Sequence, residues 1–220
     1  HQPFGSMSQQ ERKSRMAVLL FTDMVDSTEL QNRLGITAFA RLLELHEQLL
    51  QQALAQTGGQ KQNDTGDGLV CEFKTSAEAV NAALLFQMLL RETKWEREAP
   101  RVRIGIHQGQ LAELPSGAST PGKLVGLPVN IAARVMSLAR GGQILLTRPV
   151  HDDARQFVRE HPVARAGPAK PPAIRWKAYG AYKSKGSEDP IEVFEVGAAG
   201  FAPFKSPPDN EKIHRSVALP

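Results

Sequence analysis

The stretch Asn63-Asp64-Thr65-Gly66-Asp67-Gly68-Leu69-Val70-Cys71-Glu72-Phe73 is the one from which the rest of the chain is read. It opens polar, turns through Thr65-Gly66-Asp67-Gly68 and leaves on an apolar run. Gly tolerates positive φ, and Asp does so better than most residues, so this order suits the tip of a β-hairpin. Such a tip presents the Asp67 carboxylate between two glycines that leave room for an approaching group. A second carboxylate, Asp23, ends the apolar run Met16-Ala17-Val18-Leu19-Leu20-Phe21-Thr22. Two such aspartates side by side make an all-oxygen site for Mg²⁺ or Mn²⁺, with positions left for phosphate oxygens. Taken singly, each is accounted for by turn and strand-end chemistry.

Working outward, Met16 to Asp23 is a strand apolar enough to be buried on both faces. Asp26-Ser27-Thr28-Glu29 offers a helix start, with Asp26 as N-cap and Glu29 at the capping-box position. Free N–H groups at Ser27 and Thr28, directly after Asp23, sit where a triphosphate could bind. Apolar residues at helical spacing predict a helix from Ile36 to Gln56, ended by Gly58-Gly59. Gln60 to Asn63 and Leu69 to Phe73 are the hairpin arms. Ser76 to about Trp95 is a second helix, and Arg101 to His107 alternates like a half-buried strand. His46 reads as a packing or surface residue. His107 lacks an acidic or cysteine partner nearby and reads as structural.

Leu114 to Lys123 is a Pro/Gly/Ser/Thr-rich loop. The helix from Val125 to Arg140 carries Asn130 and Arg134 four residues apart on one face. An arginine fork can neutralise phosphate, and an asparagine amide can hold a ribose oxygen. Gln143 to Thr147 is a strand, His161 to Pro172 is loop-like, and Arg175 to Tyr182 and Ile191 to Val196 are closing strands. The order argues for an α+β sandwich, one sheet with helices packed on one face. His1 to Ser6 read as an appended leader before Met7, so 1–15 form an extension, 16–197 the domain and 198–220 a Gly/Pro-rich linker toward a further domain.

At 220 residues the chain has length for one sizeable core. A net charge of +4, with no basic stripe bearing aromatics, gives no support to nucleic-acid binding. One cysteine, Cys71, excludes an internal disulfide and suits a reducing cytoplasm. No apolar run has membrane-spanning length, so no membrane contact is expected in this segment.

Phe21-Thr22-Asp23-Met24-Val25-Asp26-Ser27-Thr28-Glu29-Leu30, Gly66-Asp67-Gly68 and Gly126-Leu127-Pro128-Val129-Asn130-Ile131-Ala132-Ala133-Arg134 occur in that order. Together they resemble three motifs of class III nucleotidyl (adenylate/guanylate) cyclase catalytic domains, at the family's spacing, and the resemblance runs from about Met16 to Val196. It implies a ferredoxin-like βαββαβ core with extra strands and a head-to-tail homodimer with active sites at the interface. It also implies conversion of a nucleoside triphosphate to a 3′,5′-cyclic nucleotide and pyrophosphate. Two Mg²⁺ or Mn²⁺ ions would be held by Asp23, Asp67 and a backbone carbonyl, that of Met24. Asn130 would orient the ribose, Arg134 would stabilise the α-phosphate, and a hairpin lysine, Lys185 ahead of Lys183, would bind the triphosphate.

The departures fall at the base-reading positions. The adenylate branch has lysine where this chain has Asn63, and Asp or Thr where it has Lys123; the guanylate branch uses Glu with a small donor. Base identity therefore stays open between ATP, GTP and a pyrimidine. Asp26 stands where the family often has glycine. Three readings compete: a working cyclase, a catalytically silent nucleotide-sensing module, and a different two-metal enzyme on a related palm-like sheet. The last lacks its Gly-Gly-Asp-Glu-Phe-type hairpin here and has no use for the Asn130/Arg134 helix.

Overall fold

The computed structural model describes residues 14–62, 68–114, 123–163 and 170–216. In chain order the elements are β1 (Ser14–Met24), α1 (Ser27–Leu34), α2 (Ile36–Thr57), β2 (Gln60–Lys61), β3 (Leu69–Phe73), α3 (Ser76–Glu92) and β4 (Val102–Leu114). They continue with β5 (Lys123–Val125), α4 (Leu127–Leu138), β6 (Ile144–Thr147), α5 (Arg148–Phe157), β7 (Ile174–Ser184), β8 (Ile191–Ala198) and β9 (Ile213–Arg215). One sheet runs in the order β2-β3-β1-β4-β6-β8-β7-β9, with β5 on β4. Its β2-β3-β1-β4 portion is antiparallel throughout, as the ferredoxin-like core requires. β6 then joins β4 in parallel.

β1 is central because its residues are apolar on both sides. Val18 and Leu20 pack with α2 and α3, while Ala17, Leu19 and Phe21 pack with Ala132 and Met136 of α4. The strand is thus buried on both faces, as its unbroken apolar run predicts. α2, α3 and α5 pack on one face; among the described residues α4 is the helix that covers the other. Its close seat on β4 is set by Gly105, where a Cβ would lie 2.3 Å from the Met136 amide nitrogen. A side chain there would push α4 off the sheet. Thr75 caps α3 by accepting the Glu78 N–H at 3.2 Å.

The C-terminal segment corrects the expectation of a linker from residue 198. Residues 199–216 fold back on the sheet: Ile213 is fully buried and β9 pairs with β7. The Phe204 N–H donates to Glu195 at 3.0 Å, and the Tyr182 hydroxyl donates to the Pro207 carbonyl at 3.1 Å. Glu195, itself buried, also accepts from Gln143 at 2.6 Å and from Tyr179 at 2.5 Å. Burial and this bond both raise the Tyr179 pKa, so its hydroxyl stays a donor. Glu195→Ala is expected to lower stability by about 3 kcal/mol, because it strands several donors around one buried site. Urea denaturation checks this, and a loss under about 0.5 kcal/mol would contradict the anchoring role. No helix among the described residues is long and apolar enough to cross a membrane.

Candidate active site

β1 and β4 lie in a register that sets Asp23 opposite Arg103. Arg103 Nε and Nη2 donate to the two Asp23 oxygens at 2.6 and 2.9 Å. Its Nη1 donates to the Ser137 carbonyl near the end of α4 at 3.2 Å. The bond to Asp23 is the main reason the Arg103 pKa is raised. This fork ties the Asp23 carboxylate to the helix that carries Asn130 and Arg134. Sequence reading passed over Arg103, because the alternation of Arg101 to His107 gives a strand and not its cross-strand partners.

The hairpin meets β1 at the same point. A Cβ on Gly68 would lie 2.7 Å from the Thr22 carbonyl and 3.1 Å from Asp23 Cβ, and Leu69 pairs with Thr22 in the ladder. Asp67, one residue before Gly68, and Asn63 lie outside the described residues. Asp23, Met24, Ser27 and Gly68 line one cleft of about 540 Å³. Its far wall comes from α2, where Glu47 pairs with Lys61 of β2 at 2.7 Å. His46 on that wall packs edge-on to Phe86, and burial lowers its pKa, which keeps the ring neutral.

Asp26 has φ of 51° and makes no side-chain cap to α1, a correction to the capping expectation. Its carboxylate instead accepts from Arg101 Nη2 at 2.9 Å. The left-handed conformation explains the fit of glycine at this position, and Asp is among the few residues that tolerate it. Ser27 and Thr28 occupy the first turn of α1 and are exposed.

Asn130 is exposed on α4 and Arg134 half-buried one turn on. Arg134 Nη1 donates to Ser184 Oγ at 2.5 Å and to the Lys185 carbonyl. The structure thus brings Arg134 to Lys185, whose backbone N–H donates to Lys212 at 2.8 Å. Asn210, from the same C-terminal segment, donates to Ser137 Oγ at 3.1 Å. Lys123 opens β5 and its backbone pairs with Leu114, so the expected loop is bounded by strand on both sides. His107 bonds Thr147 Oγ1 at 2.6 Å, and burial holds its pKa down to about 4, in keeping with a structural role. Burial likewise pushes the Cys71 thiol up to about 12, leaving it inert at neutral pH.

The donor set can be tested against a divalent ion. Asp23 and the Met24 carbonyl offer only hard oxygen. Among the described residues no three His, Cys, Asp or Glu side chains gather. Mg²⁺ is commonly bound by one or two carboxylates together with substrate phosphates, so this sparse set fits it.

The fold is that of a class III cyclase domain. The chain matches the adenylate and guanylate cyclase catalytic domain family over residues 9–166, and it belongs to that family. It is 26% identical over 163 residues to an adenylate cyclase of Lachancea kluyveri, covering 65% of this chain and 9% of that one. Among solved structures it is similar to an adenylate/guanylate cyclase/hydrolase from Silicibacter pomeroyi, with TM-score 0.66 and 28% identity over 83% of this chain and 96% of that one. An adenylate cyclase from Trypanosoma brucei in its monomeric state shares the fold, with TM-score 0.71 and 19% identity over 87% of this chain and 92% of that one. The chain spans 6–24% of the length of the curated relatives it matches.

Proposed function

We propose that the chain is a nucleotidyl cyclase that converts a nucleoside triphosphate to its 3′,5′-cyclic monophosphate and pyrophosphate at sites shared by two head-to-tail copies. The observation that supports this reading is the approach of Gly68, the residue after Asp67 in the sequence, to Thr22 and Asp23 at the end of β1. Asp23, Asp67 and the Met24 carbonyl would hold two Mg²⁺ or Mn²⁺ ions. The chemistry such ions supply when bound is neutralisation of phosphate charge and acidification of the ribose 3′-hydroxyl.

The residues of this chain supply the rest. Asp23 releases at least one bond to Arg103, and the freed guanidinium becomes a donor for triphosphate oxygens. The N–H groups of Ser27 and Thr28 bind the same oxygens, and Lys185 of the partner subunit, whose carbonyl accepts from Arg134 within its own chain, reaches them from across the interface. Asn130 of the partner subunit aligns the ribose, so that the 3′-oxygen attacks the α-phosphorus opposite the departing pyrophosphate. Arg134 of the partner subunit stabilises charge on the α-phosphate. In this reading the domain works in the cytoplasm, as one part of a longer signalling protein.

Asn63 and Lys123 are the proposed base readers. Lys donates only, and Asn can donate or accept, a pairing that suits a carbonyl beside an N–H better than adenine's amino group. A mismatched reader discriminates far less than the four to five orders of magnitude a fully bonded one reaches. A panel of ATP, GTP, CTP and UTP with Mn²⁺, its products separated by chromatography, is expected to give cyclic product with loose base preference. Asn63→Lys with Lys123→Asp is expected to raise the ATP:GTP ratio in kcat/KM. A wild type that prefers ATP a hundredfold and is unmoved by the double change would remove both positions from the reading.

A silent nucleotide-sensing module is the second reading. The observation in its favour is the Arg103 fork, which engages both oxygens of Asp23. In that case the panel yields nucleotide binding and no cyclic product.

A further inference from the structure

A separate cavity of about 260 Å³ lies between the C-terminal half of α3 and the edge where β4 and β6 begin. Leu84, Met88, Val102, Ile144 and Ala198 give it an apolar wall, and Phe201 closes one side. Its charged residues are Arg91 and Arg101; His161 also lines it, and among the described residues no Asp or Glu does. The neighbouring cleft on the other side of His161 is bordered by Glu78 and Glu160, so the lack of acid is particular to this cavity.

Two of its polar side chains have donors to spare. Arg91 stacks on the Phe201 ring at 4.1 Å and, among the described residues, makes no hydrogen bond or ion pair. His161 is 2% exposed, and its Nδ1 accepts the Val163 N–H at 3.2 Å. That bond fixes the neutral tautomer with its proton on Nε2, a donor with no acceptor among the described residues. Burial lowers the His161 pKa and so favours this neutral form. Gln87 is already engaged with the Val102 carbonyl at 2.9 Å. An imidazole N–H on a largely buried residue and the unpaired guanidinium of exposed Arg91, both beside an apolar hollow, suit an acceptor that carries negative charge and little bulk.

We propose that this cavity binds a small organic monoanion, a carboxylic acid with a compact apolar body. The carboxylate takes the Arg91 fork and the His161 N–H, and the apolar part fills the space against Leu84, Met88 and Ile144. A phosphate ester suits the site less well, since its charge and hydration oppose an apolar wall of this extent. Arg101 stands at the rim with its guanidinium already paired to Asp26, so the anion competes with Asp26 for it. Removing the Asp26 charge should therefore tighten binding. The proposal concerns binding alone and does not depend on the cyclase reading.

Isothermal titration of the intact chain with benzoate, 3-phenylpropanoate and hexanoate, each beside its primary amide, tests it. At least one acid is expected to saturate at one per chain, with its amide about tenfold weaker or worse. Arg91→Gln should weaken the acid about tenfold and leave the amide unchanged, while Asp26→Asn should strengthen the acid about threefold. Ala198→Phe, which fills the hollow, should remove both. No saturation by any acid up to about 10 mM would overturn the proposal. So would equal binding of acid and amide, or an Arg91→Gln protein that binds the acid as well as wild type. Arg91 is exposed, so that variant keeps the test intact even where Ala198→Phe fails to fold.

Discussion

Asp23→Ala is expected to lower cyclase turnover at least about a thousandfold, some 4 kcal/mol of transition-state stabilisation, while the domain stays folded. The activity loss follows from the position of the carboxylate. It ends a strand held on both sides by antiparallel ladders and stands against the incoming hairpin at Gly68. Those ladders and the two apolar faces of β1 do not involve the Asp23 side chain, so the fold does not hang on it. What the substitution does strand is Arg103, which keeps only the Ser137 carbonyl and is partly buried. That costs about 1–3 kcal/mol. A second change, Arg103→Met, should recover part of this stability and none of the activity. Thermal denaturation and product formation, measured on both variants, separate the two effects. Turnover within about tenfold of wild type in folded Asp23→Ala would remove Asp23 from the proposed ion site.

The same two strands show what the sequence makes legible and what it does not. An unbroken run such as Met16 to Thr22 announces a buried strand, because no surface position tolerates so many apolar side chains in a row. The apolar stripes of α2 and α3 and the Gly58 stop are equally plain. α5 escaped, since Arg148 to Phe157 is mostly polar and buries only Val150, His151 and Ala154. β4 runs on to Leu114 past the polar Gln108-Gly109-Gln110, because Gly109 lets Pro128 of α4 approach; a Cβ there would lie 2.4 Å from the proline ring. β9 is three residues long, too short for periodicity to speak, and it exists through the tertiary partners of Ile213.

At the site, the residue types were legible and their pairings were not. Arg103 and Asp23 are 80 residues apart, and only the register between β1 and β4 makes them partners. The Asp26 backbone is likewise set by the sharp passage from β1 into α1, which leaves the side chain free of capping and available to Arg101.

Mixing Asp67→Ala chains with Arg134→Ala chains is expected to restore activity that neither has alone. Arg134→Ala by itself should lose about two to three orders of magnitude in kcat, the usual effect of removing a donor aimed at developing charge. Within one chain Arg134 is bonded to Ser184 and Lys185, on the β7–β8 side of α4. The Asp23 cleft is instead lined from β1, α1, α2, β2 and the start of β3 with Gly68 before it. If the working site joins the cleft of one copy to Asn130 and Arg134 of the other, each mutant homodimer lacks one essential group at both sites. A mixed dimer rebuilds one complete site and leaves its second site doubly defective. After subunit exchange the mixed dimer should therefore reach about half the wild-type rate, the non-additive recovery expected of groups that act as a unit. Exchange is followed independently by labelling one chain and measuring energy transfer to the other. Confirmed exchange with no recovery would place the α4 groups and the Asp67 hairpin in the same copy's site.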